Sequence, residues 1–183
     1  MAASAVPVSV LADLAGAARG YLRVGESVEA GLLARLAETA VTTAEAFCGT
    51  VIVQRQAEDV LAVSAAWQRL ATAPVTAIMG VTALPAGAAP LVLPVDAYAV
   101  DIDAGGDGWV RVTAAGGAAQ LAVSYMAGRA TSLAAVPAAL AQGMVLLVAH
   151  LFEHRDGDVL PPAAVAALWR PFRVMRLATQ VHV

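Results

Sequence analysis

The longest apolar stretch of the chain lies at residues 136–155, where leucine and methionine recur at helical spacing. Hydrophobic side chains three and four residues apart share one face of a helix. This repeat consists of Leu140, Met144, Leu147 and Leu151. Because the opposite face is barely polar, we expect a long apolar helix over about residues 137–156 that is buried by its own domain or by neighbouring subunits.

A second helical pattern, at residues 27–49, is amphipathic. Its apolar side chains form one face and its charged side chains another, with Ser27 as the expected N-cap and Gly49 as the terminating residue. A shorter helical pattern starts at Ser9 and ends near Gly20. The sequence therefore predicts two successive helices within about residues 9–49.

Residues 50–127 have the β-branched, glycine-punctuated pattern of strands. Tyr98–Ile102 and residues 109–113 flank a Gly-Gly-Asp-Gly turn and predict a β-hairpin. Further strands are predicted at residues 50–55, 61–64, 74–84 and 120–126, whereas the three prolines of residues 84–94 indicate a loop or an edge segment.

Strands grouped between helices favour an α+β fold. We predict a mainly helical core, made of the long amphipathic helix and the long apolar helix, with a central antiparallel β section. A short helix is expected at residues 163–169. The predicted organisation is one domain over residues 1–170, followed by a C-terminal arm over residues 171–183.

Composition indicates a protein that assembles with other copies. The chain is 60% hydrophobic and only 14% charged, which leaves less polar surface than a monomer usually shows. Its single cysteine, Cys48, fits a reducing compartment. No signal sequence opens the chain, and its longest apolar run is too short to cross a bilayer. We expect a soluble, cytoplasmic protein without membrane contact.

The net charge of −3 does not indicate nucleic-acid binding, which is typical of strongly basic domains. The distribution of charge along the chain is uneven. An acidic stretch without a compensating base contains Asp96, Asp101, Asp103 and Asp107. The last part of the chain is basic, with Arg170, Arg173 and Arg176 and no acid after residue 158. A basic terminal arm suits docking on an acidic partner.

The one catalytic motif is His150-Leu-Phe-Glu-His154, which matches the inverted zinc-protease pattern. No glutamate follows Glu153 to complete such a site, so helix-end histidines are the preferred interpretation. The Asp101–Asp107 stretch lacks the bidentate glutamate of a calcium loop. We therefore expect no enzyme activity, no metal and no cofactor.

Several stretches together resemble the phage head–tail connector (adaptor) family, including its members in gene transfer agents. The amphipathic helix after Leu22-Arg23-Val24 is similar to the opening of that family, and the Pro74-Val-Thr-Ala-Ile segment is similar to its central strand. The Tyr-Met-Ala-Gly and Val-Pro junction, the Ala-His-Leu-Phe-Glu-His-Arg helix end and the terminal Leu-Trp-Arg-Pro-Phe-Arg also resemble it. The resemblance covers most of residues 11–177.

The resemblance implies a structural protein of a phage or phage-like particle. Such connectors form a ring, generally dodecameric, between the portal protein and the stopper or tail proteins, and DNA passes through the channel without sequence-specific binding. The location would be the particle neck, assembled in the host cytoplasm. On this basis, the portal-binding residues would be Arg170, Phe172, Arg173 and Arg176, the channel- or tail-facing residues Asp101, Asp103 and Asp107, and the ring-interface residues Leu140, Met144, Leu147 and Leu151.

Two other interpretations stay open. The chain could be a helical regulatory or ligand-binding domain that dimerises through residues 136–155. It could also be a small metallohydrolase that uses His150, Glu153 and His154.

Overall fold

The computed structural model of the protein describes residues 2–25, 29–154 and 161–174, and the chain divides into two compact units. The sheet unit comprises Met1–Val6 and Val53–Arg129, and the helical unit comprises Pro7–Ile52 and Ala130–Val183. Each unit combines segments that are distant in sequence. The predicted single domain over residues 1–170 and the arm over 171–183 stay predictions.

The described residues of the helical unit form four α-helices and two short 3₁₀ turns. The helices are α1 (Val8–Leu22), α2 (Ala30–Cys48), α3 (Ala138–Glu153) and α4 (Ala163–Trp169), and the 3₁₀ turns are Leu133–Ala135 and Arg170–Phe172. Helix α3 packs against α1, α2 and α4. None of the helices in the described ranges has the length and apolar character needed to span a membrane.

The spacing of hydrophobic residues predicted these helices because it marks the face that each helix buries. In α2 the buried positions follow helical spacing and are Leu33, Ala37, Ala40, Val41, Ala44, Glu45 and Cys48. Gly49 ends α2 in the left-handed conformation, with φ of 68°, and its N–H donates to the Glu45 carbonyl oxygen, as its sequence position predicted. The predicted N-cap Ser27 lies outside the described residues.

The part of the sheet unit that the structure describes forms eight strands in two antiparallel sheets. They are β1 (Ala2–Ala3), β2 (Arg55–Ala62), β3 (Gln68–Arg69), β4 (Val75–Leu84), β5 (Leu91–Val92), β6 (Tyr98–Ile102), β7 (Gly108–Val112) and β8 (Gln120–Ala127). One sheet has the order β1-β2-β8-β4-β5, and the other has the order β3-β7-β6. The hydrophobic core of the sheet unit is formed by inward-facing side chains such as those of Val81, Leu121, Val123 and Tyr125.

The α+β class is confirmed, and so are the hairpin and the strands predicted at residues 74–84 and 120–126. The mainly helical core is wrong, because helix accounts for 39% and strand for 26% of the structure. The long apolar helix is wrong too: α3 has 16 residues, fewer than the 19 of α2, and it ends at Glu153.

The strand predicted at residues 50–55 is also wrong for residues 50–54, and β2 begins only at Arg55. The reason is local hydrogen bonding of the backbone at Ile52. Its N–H donates to the Glu45 carboxylate at 2.9 Å, and its carbonyl oxygen accepts from the Ala130 N–H at 3.0 Å. These partners replace those that a longer sheet ladder would supply.

Candidate functional site

The acidic hairpin, residues 101–107 at the end of β6 and in the turn to β7, is organised by Asp103. One carboxylate oxygen accepts the backbone N–H groups of Gly105 and Asp107, both at 2.9 Å, and the other accepts the indole N–H of Trp109 at 3.1 Å. The Trp109 bond, followed by that of Asp107, holds the pKa of the Asp103 carboxyl below its ordinary value. Asp103 therefore shapes the turn while keeping its negative charge exposed.

Asp107 does not add a free charge to this hairpin, because it forms an ion pair with Arg69. The carboxylate and guanidinium atoms are 2.9 Å apart, and both side chains are partly exposed. Arg69 belongs to β3, which pairs with β7 next to the turn. This corrects the prediction of an acidic stretch without a compensating base. The exposed negative charge of the hairpin comes from Asp101 and Asp103.

The hairpin is fixed against the turn that precedes β4. Gly106 has a φ of 85°, a conformation that side-chain-bearing residues rarely adopt, and a Cβ there would lie 2.8 Å from the Cβ of Pro74. Its carbonyl oxygen accepts the N–H of Val75 at 2.7 Å. Glycine is thus required at this position for close packing as well as for backbone conformation.

The beginning of the basic C-terminal segment is anchored by Trp169, which is fully buried at the end of α4. Its indole N–H donates to the carbonyl oxygen of Leu140 on α3 at 3.3 Å, and its ring contacts Phe47 on α2 with centroids 5.8 Å apart. The ring lies directly on Gly143, where a Cβ atom would overlap it. One aromatic side chain therefore joins three helices.

The segment after Trp169 remains attached to the C-terminal end of α2. The backbone N–H of Val174 donates to the carbonyl oxygen of Cys48 at 2.8 Å, and the guanidinium of Arg173 lies 5.8 Å from the Phe47 ring centre. A cation at this end also suits the helix dipole. The structure thus fixes the chain up to residue 174 on the helical unit.

The predicted portal-binding residues lie on this anchored segment as far as the structure describes them. Arg170 and Phe172 belong to the 3₁₀ turn, and Arg173 follows it directly. The two arginines are exposed and Phe172 is half-buried. Arg176 lies outside the described residues. The segment therefore presents two positive charges from a fixed position.

The predicted ring-interface residues are mostly inside the helical unit. Leu140, Met144 and Leu147 are 4%, 0% and 0% exposed, and Leu151 is half-buried. Their helix packs against α1, α2 and α4, so the chain itself buries its apolar face. In this conformation the three buried side chains are covered by the chain itself.

The histidines of the His150–His154 motif interact with each other at the end of α3. Their rings stack with centroids 4.5 Å apart, and the Nδ1 of His154 lies 3.0 Å from the His150 carbonyl oxygen. Glu153 is exposed. Within the described ranges, no group of three histidine, cysteine or acidic side chains is placed to hold a metal ion.

Sequence reasoning missed a buried polar pair in the sheet unit. Asp59 on β2 is 2% exposed, and one of its carboxylate oxygens accepts the Tyr125 hydroxyl at 3.0 Å and the Ala71 N–H at 2.7 Å. The Tyr125 oxygen also accepts the N–H of Thr72 at 3.2 Å. Asp59 is at an inward-facing position of β2, between the inward-facing Ala57 and Leu61. The alternation of side chains along the strand could have identified it as a buried residue. The pair holds residues 71 and 72 on the sheet.

No protein-family model matches the chain, and no curated protein matches it. Solved structures of gene transfer agent (GTA) particles do match its fold. In the neck of an empty GTA particle computed with C6 symmetry, one chain matches with a TM-score of 0.74 and 20% sequence identity, and 97% of each chain is covered.

Two further matches come from native GTA particles. A chain of the native virion has a TM-score of 0.69 and 23% identity, with 95% of this chain and 94% of the other covered. A chain of the native neck computed with C12 symmetry has a TM-score of 0.68 and 23% identity, with 97% of each covered. The likeness establishes a shared fold over nearly the whole chain, and it confirms the predicted resemblance at that level.

Proposed function

We propose that this protein is a structural subunit of the neck of a phage-like particle of the gene transfer agent type. The observation that carries the proposal is the likeness of fold to GTA neck chains over 97% of both chains. A match of this extent leaves no large insertion in which a separate activity would be housed. The proposed role is one of assembly.

Within the neck, the subunit would form a homo-oligomeric ring between the portal protein and the stopper or tail proteins. The neck structures with matching chains were computed with C6 and C12 symmetry, which supports a ring of twelve copies. A ring requires a head-to-tail interface, in which two different surfaces of the chain meet. DNA would pass through the central channel without sequence-specific binding.

The anchored basic segment is the proposed portal contact, with Arg170, Phe172, Arg173 and Arg176 as its binding residues. Trp169 and the Val174–Cys48 hydrogen bond hold the start of this segment in place. Because this part of the segment is already ordered in the free subunit, binding a partner costs less conformational entropy, which favours the contact. Arginine is suited to this role because its guanidinium binds carboxylates in a bidentate manner.

The acidic hairpin is the proposed channel-facing or tail-facing element. Asp101 and Asp103 supply its exposed negative charge, and the lowered pKa of Asp103 extends its charge to lower pH than an ordinary aspartate would keep it. An acidic surface repels phosphate, so DNA would slide past it. Asp107 contributes less because Arg69 neutralises it.

Deletion of the gene in a particle-producing strain tests the proposed function. We expect DNA-filled heads without attached tails, because heads and tails would be made but not joined. The intact gene supplied from a plasmid should restore complete particles. Complete, transducing particles in the deletion strain would contradict the proposal.

A further inference from the structure

The two lateral edges of the five-stranded sheet end in exposed hydrophobic side chains that belong to the same cross-strand row. Val60 on β2 pairs with Ala122 on β8, Ala122 with Thr82 on β4, and Thr82 with Val92 on β5. Val60 is 49% exposed and Val92 is 72% exposed. Sheet edges of soluble monomers are usually blunted by charge, so apolar residues at both ends of one row indicate a contact.

The adjacent cross-strand row also ends in a hydrophobic residue at each edge of the sheet. Leu61 on β2 pairs with Leu121, which pairs with Ala83, which pairs with Leu91 on β5. Leu91 is 57% exposed and Leu61 is half-buried. Each edge therefore presents one valine and one leucine in consecutive positions, and the two edges match in size and in hydrophobic character.

Each edge has one residue, Val60 or Val92, whose backbone N–H and C=O groups point away from the strand it pairs with. The Val63 N–H donates to the Ala119 carbonyl oxygen and the Leu93 N–H to that of Val81, so by the alternation of an antiparallel ladder Leu61 and Leu91 bond to β8 and β4. In the described ranges, β1 pairs with β2 at Ala57 and Glu58, so Val60 and Leu61 have β8 as their only strand neighbour. Strand β5 pairs with β4 and with no other described strand. Free N–H and C=O groups of this kind are a template for pairing with another chain.

The strand directions are compatible with such pairing. All neighbouring strands of the sheet are antiparallel, so β1 and β5 run in the same direction. Strand β5 of one copy can therefore lie antiparallel to β2 of the next copy, in line with β1 and beyond it. Pro90 and Pro94 flank β5 and limit this pairing to a short stretch.

We propose that β5 of one copy, through Leu91 and Val92, pairs with the β2 edge at Val60 and Leu61 of the neighbouring copy and forms the seam of the ring. This inference rests on the proposed function, since it names the surfaces by which the neck subunits join. The edges are different surfaces at opposite ends of one sheet, so the contact is head-to-tail and can close a ring. Residues 84–95 carry no charge, so their burial requires no charge to be desolvated.

Cysteine cross-linking in assembled particles tests the seam. The full chain with Val60→Cys and Val92→Cys, in a Cys48→Ala background, is treated with a short bis-maleimide. Directly opposed residues of paired strands have Cβ atoms about 4.5–5.5 Å apart, within reach of the reagent. We expect a ladder of covalent oligomers on a denaturing gel, and no ladder from either single-cysteine variant.

The matched control combines Val60→Cys with Val100→Cys. Val100 lies on β6, an edge strand of the other sheet, and is 42% exposed. It should give no ladder. A second comparison uses charge: Val92→Glu should lower the amount of protein in particles about tenfold, as expected for the loss of an interface hot spot, whereas Val100→Glu should leave it unchanged. Thermal unfolding of each purified variant verifies that it folds.

The outcomes separate the two proposals. Rings that form in particles without cross-linking of the Val60 and Val92 pair would overturn the seam and leave the neck function standing. Equal ladders from the Val60–Val92 and Val60–Val100 pairs would also overturn the seam. Absence of the unmodified protein from purified particles would overturn both the seam and the proposed function.

Discussion

The indole ring of Trp169 lies on Gly143, in the space that a Cβ atom at residue 143 would need. The same indole donates a hydrogen bond to the carbonyl oxygen of Leu140, one turn earlier on α3. The position of α4, and with it that of the exposed arginines after Trp169, therefore depends on a glycine in the middle of a helix.

Replacement Gly143→Ala should destabilise the chain even though alanine is the better helix former. The added methyl group has to displace the indole, and overpacking of this kind costs about 1–3 kcal/mol. Urea unfolding monitored by tryptophan fluorescence measures the change in free energy.

Gly16→Ala in α1 is the matched control, because no described atom outside the adjacent backbone of its own helix lies within 4 Å of the position of its Cβ. It should raise the free energy of unfolding by up to about 1 kcal/mol, the helix-propensity difference. Equal effects of the two alanines would show that the indole does not occupy the space at Gly143.

Replacement Tyr125→Phe should destabilise the sheet unit by about 1–3 kcal/mol, because it leaves buried polar groups with fewer partners. The Asp59 carboxylate would lose the hydroxyl donor, and the Thr72 N–H would lose its acceptor. Denaturant unfolding measures the loss. Tyr21→Phe, which removes an exposed hydroxyl, is the control and should change little.

Stability should fall at alkaline pH. Burial raises the pKa of Tyr125 above the ordinary value of 10.0, and burial together with the charge of Glu45 raises the pKa of Cys48 above 9.0. For both groups the folded state favours the protonated form, so the stabilisation is complete below the unfolded pKa and is lost as pH rises through the folded pKa.

Denaturant unfolding at a series of pH values from about 8 upwards measures this loss. Cys48→Ala should abolish the portion of the stability loss that begins near the ordinary thiol pKa. Adding Tyr125→Phe should abolish the portion that begins near the ordinary phenol pKa. An alkaline fall that persists unchanged in the double variant would contradict the assignment.

The acidic hairpin should keep its structure to lower pH than an ordinary aspartate would allow. Because the pKa of Asp103 is lowered from 3.8, its stabilising bonds are present above that value and are lost only as pH falls through the folded pKa. The NMR signal of the Trp109 indole N–H reports the loss directly. Asp103→Asn keeps an acceptor oxygen but cannot titrate, so the pH dependence of this signal should disappear.

Charge reversal of the anchored basic segment should weaken the proposed portal contact. Arg170→Glu with Arg173→Glu should reduce binding to the purified portal protein about tenfold or more, because attraction becomes repulsion. The reversal Arg35→Glu, at an exposed position of α2, should have no such effect. Unchanged portal binding by the double variant would remove the segment from the interface.

The helices could be predicted because their evidence is local: three- and four-residue spacing marked the buried face of α2, and Gly49 marked its end. The sheet order could not be predicted, because β8 is inserted between β2 and β4 by pairings between residues far apart in sequence. The Arg69–Asp107 ion pair joins residues 38 positions apart, so the local sequence of the acidic hairpin shows more negative charge than the folded hairpin exposes.

The apolar repeat of α3 shows a second limit of sequence reasoning. Spacing indicated that Leu140, Met144 and Leu147 are buried, and it could not say whether the chain or another copy buries them. The structure places α1, α2 and α4 around them. Exposed residues on sheet edges, such as Val60 and Val92, have no helical period and were not singled out by the sequence pattern.

Localisation of the protein within purified particles tests whether it is a neck subunit. Particles from a strain that carries an epitope-tagged copy would be imaged by cryo-electron microscopy with and without a bound antibody fragment. We expect additional density at the neck, in a ring with the symmetry of that region. Antibody density at the capsid shell or along the tail tube, or none on complete particles, would contradict it.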